Sequence, residues 1–194
     1  MGSLQLRQLH PLFAAEASGL DMRRPLTPEA VAEVNAAMDR YAVLVFRGQA
    51  MEQEEQVAMA RQFGPLNPGL KQIGRQQERM RERELIDISN LDAEGRPMTA
   101  DTKKMVSQLA NQLWHSDSSF QSPAVSYSML NCIRPTSWGG ETEFVDLRAA
   151  WDTLPERLRA TVQGREAEHY ALHSRITLLG DAAHPMRPYL AQGA

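Results

Sequence analysis

Apolar positions recur at helical spacing between Thr27 and Arg40, where Val31, Val34 and Met38 share one face. Thr27 offers an N-cap hydroxyl, and Pro28 fits a first-turn position that needs no amide partner. The pattern therefore predicts an amphipathic helix over 28–40. The unbroken apolar run Ala42-Val43-Leu44-Val45-Phe46 predicts a buried strand closed by Arg47-Gly48. A second helix is expected over 52–63, with Val57, Ala60 and Phe63 on one side. Gly64 suits the position after its end, and Pro65 prevents its resumption.

The middle of the chain is less regular. Residues 66–84 are polar and predict a long loop, and such loops in compact domains often act as lids or binding segments. Residues 85–89 read as a strand and 92–104 as a turn-rich loop. Val125, Tyr127 and Met129 alternate with small or polar residues, which is a strand period. Trp138-Gly139-Gly140 turns the chain into a strand over 142–145. Asp146 then caps a helix reaching Trp151, and Pro155 opens another near 155–163. Strands in the middle and helices at the edges, without regular alternation, predict a mainly β fold with flanking helices (α+β). A β-sandwich or jelly roll fits this better than a doubly wound sheet. No internal repeat is present.

Composition narrows the function classes. The 194 residues suit one domain large enough for a hydrophobic core. Lys plus Arg total 21 against 24 Asp plus Glu, so the balance shows no basic face for nucleic acid. The charge-dense stretch 75–84 mixes both signs and reads as a solvated surface. The run 42–46 is far short of a membrane span, and the amino terminus lacks the apolar region of a signal peptide. The single cysteine, Cys132, excludes an internal disulfide and suits a reducing compartment. A cytoplasmic protein is expected.

The candidate chemistry lies in Trp114-His115-Ser116-Asp117-Ser118-Ser119-Phe120. In an extended segment residues i and i+2 project from one face, so His115 and Asp117 can offer an imidazole nitrogen and a carboxylate oxygen to one ion. These are two of the three ligands of the 2-His-1-carboxylate triad that holds non-haem Fe(II) with positions left open. A His-x-Asp alone is common and more often reflects surface polarity or a local hydrogen bond.

Its context is specific. Ala17-Ser18-Gly19-Leu20-Asp21 with Arg24-Pro25-Leu26 comes first, followed by Val43-Leu44-Val45-Phe46-Arg47-Gly48-Gln49 and Ala60-Arg61-Gln62-Phe63-Gly64-Pro65-Leu66. The His/Asp segment and Trp138-Gly139-Gly140-Glu141-Thr142-Glu143-Phe144 complete the series. In this order the five motifs resemble the TauD/TfdA family of Fe(II)- and 2-oxoglutarate-dependent dioxygenases, most closely its TfdA branch, which hydroxylates phenoxyacetates.

The resemblance implies a double-stranded β-helix (jelly-roll) core, incomplete at the carboxy terminus, in which His115 and Asp117 ligate iron. It also implies that the Thr142 hydroxyl binds a carboxylate of the co-substrate 2-oxoglutarate, against the plainer reading of a threonine that simply favours a strand. The implied reaction uses O₂ to hydroxylate an anionic, aryloxyalkanoate-like small molecule and so cleave an ether. Lys71, Lys104 and Asn111 are the candidate substrate contacts. A cationic or amide donor is what a substrate carboxylate requires, although a lysine in a polar loop is commonly just solvated. Trp114 and Phe120 read rather as supports.

The family pattern also places a second iron-ligating histidine, and beyond it an arginine for the far carboxylate of 2-oxoglutarate, in a segment these 194 residues do not include. His10, His169, His173 and His184 are the remaining histidines. His184, with Arg187 three positions on, does not match that pattern and reads as a turn or surface histidine. Weak or absent turnover is accordingly expected of the 194 residues alone, with exposed strand edges that favour homo-oligomers. The alternative is a non-catalytic remnant that binds only metal or a partner.

Residues 178–194 resemble another family, the FAD-dependent aromatic hydroxylases, through Leu178-Leu179-Gly180-Asp181 and the residues after it. No G-x-G-x-x-G precedes them to complete a dinucleotide site. A dioxygenase-like part over 1–177 fused to a tail over 178–194 is the expected organisation. A flavin monooxygenase fragment is the lesser alternative.

Overall fold

The computed structural model describes residues 2–66, 79–82, 84–99, 101–102, 114–115, 125–163 and 189–191. Strand β1 (Gln5–Gln8) and strand β2 (Ala15–Ser18) form an antiparallel hairpin in which Arg7 faces Glu16. Helix α1 (Pro28–Tyr41) carries the chain across to strand β3 (Leu44–Phe46), which lies parallel to β2 with Ala15 opposite Leu44. Parallel strands need such a crossover, and a helix supplies it here. The sheet order is β1-β2-β3.

Local chemistry sets the limits of α1. Thr27 Oγ1 accepts from the Ala30 amide at 3.2 Å, and Pro28 occupies the first turn. The helix ends on Ala42, whose φ of 59° is left-handed and whose amide donates to Met38 O at 2.8 Å. Ala42 thus belongs to the cap and not to the strand expected from residue 42. Helix α2 (Gln53–Arg61) starts where Glu55 accepts from the Glu52 amide at 2.9 Å and stops two residues short of the expected Phe63.

The core lies between the helices and the sheet, where Leu20, Met22 and Val34 are buried against Leu26, Met38, Phe46 and Phe63. Two glutamine amides fix the chain through this core. Gln49 accepts from the Met22 amide at 3.0 Å and donates to Leu20 O at 3.1 Å. Gln62 accepts from the Leu26 amide at 2.6 Å. Glu16 on β2 bonds Arg7 on β1 at 2.7 Å and Arg47, the residue after β3, at 3.0 Å.

Residues 85–89, expected as a strand, join no ladder among the described residues. Their polar side chains bond locally instead, with Ser89 Oγ donating to Asp87 at 3.0 Å and Arg79 lying 3.7 Å from the same carboxylate. The following loop closes on an isolated bridge between Leu91 and Pro97. Residues 125–131 keep the expected alternation of half-buried and exposed positions, again without a strand partner among the described residues. Strand β4 (Thr142–Phe144) pairs antiparallel with β5 (Tyr189–Ala191), Thr142 facing Ala191. Helices α3 (Leu147–Asp152) and α4 (Glu156–Val162) follow β4 as expected. No helix among the described residues is long and apolar enough to cross a membrane.

Candidate functional site

The turn into β4 is built by two consecutive glycines. Gly139 and Gly140 have φ of 71° and 78°, a pair of left-handed conformations that disfavours any residue with a Cβ. Thr136 Oγ1 donates to Gly139 O and closes the turn. The strand then alternates, with Thr142 and Phe144 half-buried on one face and Glu143 exposed on the other. Among the described residues the half-buried Thr142 hydroxyl has no hydrogen-bond partner, which leaves a donor open to a ligand.

The far end of β4 is held by charge. Asp146 caps α3 by accepting from the Arg148 amide at 2.9 Å, and its carboxylate also takes the Arg148 guanidinium at 2.9–3.2 Å. Burial raises the Asp146 pKa, but the Arg148 hydrogen bonds outweigh it and hold the carboxyl below its ordinary value. The same guanidinium donates to Asp39 O at 2.6 Å and Arg40 O at 3.2 Å, the last carbonyls of α1, where the helix dipole is negative. Arg159 does the same for α3, bonding the carbonyls of Trp151, Asp152 and Leu154 and lying 5.6 Å over the Trp151 ring.

His115 is half-buried and follows Trp114, which is 54% exposed, so the expected supporting role of that ring is not one of deep burial. Downstream of it the chain is tied to the amino-terminal elements. Tyr127 donates to Asn35 on α1, its ring meets Phe63 edge-on at 6.2 Å, and Asn131 donates to Met51 O at 3.0 Å. Asp117, Lys71, Lys104, Asn111, Phe120, His169, His173 and His184 lie outside the described residues. His10 is exposed on the β1–β2 connection, tilted on Phe13 with centroids 4.8 Å apart, and accepts from the Leu12 amide. The described residues contain no group of three or more His, Cys, Asp or Glu able to hold a metal. The donor set His115 plus Asp117 fits Fe(II) by chemistry, and the open Thr142 hydroxyl fits a carboxylate.

The model of the family described as Taurine catabolism dioxygenase TauD, TfdA family matches residues 5–189. The chain belongs to that family. Among its relatives, an alpha-ketoglutarate-dependent 2,4-dichlorophenoxyacetate dioxygenase from Burkholderia sp. (strain RASC) is 48% identical over 182 residues. That match covers 94% of this chain and 61% of the relative. An (S)-phenoxypropionate/alpha-ketoglutarate-dioxygenase from Sphingobium herbicidovorans is 32% identical, over 92% of this chain and 57% of its own length. The solved structure of AAD-2 in complex with Mn(II) and N-oxalylglycine is similar at a TM-score of 0.66 and 38% identity, covering 83% of this chain and 53% of that one. The chain thus spans roughly three fifths of the length of the curated relatives it matches.

Within this TauD/TfdA chain, three of the five family motifs are scaffold. Ala17 to Asp21 ends β2, the second motif is β3 with its Gln49 clamp, and the third ends α2 with the Gln62 clamp. Sequence reasoning missed Tyr127, Asn35 and Arg148. The Asp-x-Arg spacing after β4 was a visible signal only for the cap at Asp146, and nothing local points from Arg148 to α1.

Proposed function

We propose that the protein carrying this chain is an Fe(II)- and 2-oxoglutarate-dependent dioxygenase on a double-stranded β-helix core, acting on an anionic aryloxyalkanoate. Support comes from the named relatives and the donor set, and above all from the half-buried hydroxyl of Thr142, unbonded among the described residues, on the strand after the Gly-Gly turn. His115, as a neutral imidazole, and Asp117, as a carboxylate, hold the metal. Thr142 donates to a carboxylate of the 2-oxo acid. Lys71, Lys104 and Asn111 meet the substrate carboxylate with charged or amide donors.

When bound, the metal and 2-oxo acid supply O₂ activation coupled to decarboxylation to succinate and CO₂, with one oxygen atom delivered to a substrate C–H bond. Hydroxylation of the carbon beside an ether oxygen gives a hemiacetal, which collapses to a phenol and a 2-oxo acid. The division at 177/178 belongs to the same proposal, with the tail supplying β5 beside β4.

The test is an anaerobic titration with Fe(II) and 2-oxoglutarate. A visible charge-transfer band that needs both components, is weak in the 194 residues alone, is lost in His115→Ala and is perturbed by an aryloxyacetate is expected. A band at full stoichiometry in these 194 residues would overturn the expected impairment. Absence of the band in the wild-type chain would favour the reading as a non-catalytic remnant.

A further inference from the structure

β4 has three residues, too short a strand for its ladder alone to fix a side chain to the tolerance a binding site needs. On its amino-terminal side lie the two left-handed glycines, a joint with nothing within 4 Å of where a Cβ on Gly139 would sit. On its carboxy-terminal side lies a rigid clamp. Arg148 spans from the Asp146 carboxylate to the Asp39 and Arg40 carbonyls, 109 and 108 positions earlier in sequence. The clamp is sheltered, with the Asp146 side chain 9% and the Arg148 side chain 32% exposed. A planar fork of donors is needed to engage a carboxylate and two carbonyls at once, and arginine has that geometry where lysine does not.

From this arrangement we propose that Arg148 is a positioning residue for the 2-oxo-acid site, fixing Thr142 by locking the end of β4 to the carboxy terminus of α1. The proposal rests on the reading of Thr142 as the hydroxyl that meets the co-substrate. Helix α1 is the common reference, because the chain downstream of His115 is moored to it through Tyr127 and Asn35. Arg148 and Tyr127 thus both bond the same helix. Arg159 provides the contrast, a guanidinium that clamps α3 in a similar way but lies beyond the segment that holds Thr142.

The experiment measures affinity of the Mn(II)-loaded chain for N-oxalylglycine by calorimetry, well below each variant's melting temperature, in wild type, Thr142→Ala, Arg148→Met, Arg148→Lys and Arg159→Met. Thr142→Ala is expected to weaken binding about tenfold, the loss of one hydrogen bond to a charged group. Arg148→Met is expected to weaken it by a comparable factor in folded protein, and Arg148→Lys to restore part of the loss. Arg159→Met should lower the melting temperature while leaving the affinity at the wild-type value. If Arg148→Met does not fold, Arg148→Lys carries the comparison, and an affinity equal to wild type overturns the proposal. Weakening in Thr142→Ala with none in either Arg148 variant overturns the positioning role and leaves the functional reading intact. No binding to wild type, or no effect of Thr142→Ala, overturns the reading of Thr142 and this proposal with it.

Discussion

Tyr127 donates its phenolic hydrogen to Asn35 Oδ1 at 3.0 Å, joining two side chains 92 positions apart. The bond ties the segment after the His/Asp pair to the middle of α1, and the edge-on contact with Phe63 packs the same ring against the end of α2. Tyr127→Phe keeps the ring and removes the hydroxyl that makes the bond. It should cost about 1 kcal/mol, read as a lower midpoint of urea unfolding with an unchanged slope. A midpoint equal to wild type would show that the bond does not anchor the segment.

Two glycines should respond differently to alanine. Gly19 has φ of +89°, and a Cβ there would lie 2.2 Å from Ser3 O, a backbone atom that cannot step aside. Gly139 has φ of +71° with open space around it. Gly139→Ala should therefore cost only the left-handed penalty, about 1–2 kcal/mol, whereas Gly19→Ala adds a clash and should also detach the amino-terminal segment. Thermal unfolding and limited proteolysis near residues 2–8 would reveal the difference. Equal losses in the two variants would contradict it.

Acid should weaken the fold through carboxylates whose pKa values are depressed. A hydrogen bond from Arg23 pulls Asp21 from 3.8 down to about 2. Glu16 is lowered from 4.5, first by its hydrogen bond with Arg47 and then by that with Arg7. Because folding lowers both values, their stabilisation is complete above the unfolded values of 3.8 and 4.5 and disappears as pH falls toward the folded ones. Stability should thus decline below 4.5 and continue falling toward 2, less steeply in the double variant Glu16→Gln, Asp21→Asn. Both groups are near solvent, so added salt should shrink the effect. A double variant that follows the wild-type acid curve would show that these pairs are not linked to folding.

The helices were legible because their boundaries are written locally. Thr27-Pro28, Asp146 and Pro155 start helices where the sequence places them, and β3 and β4 fall inside their apolar or alternating runs. The β1–β2 hairpin was not legible, since Gln5 to Gln8 are all exposed and β2 buries alanines, which carry little strand signal. Residues 85–89 misled because an alternating pattern does not reveal that Asp87 and Ser89 satisfy one another. In the candidate site, His115, Asp117 and Thr142 are proposed from motif and chemistry. Arg148 and Tyr127 are not, because their partners lie about a hundred positions away and no local spacing encodes a contact of that range.

The central claim is that His115 and Asp117 hold a metal beside a hydroxyl that receives a 2-oxo acid. Titrating N-oxalylglycine into the chain with and without Mn(II), in wild type and in His115→Ala, tests it without requiring turnover. The expected result is binding that appears only with Mn(II) and disappears in His115→Ala. Binding that is indifferent to the metal, or retained at wild-type affinity without His115, would contradict the assignment.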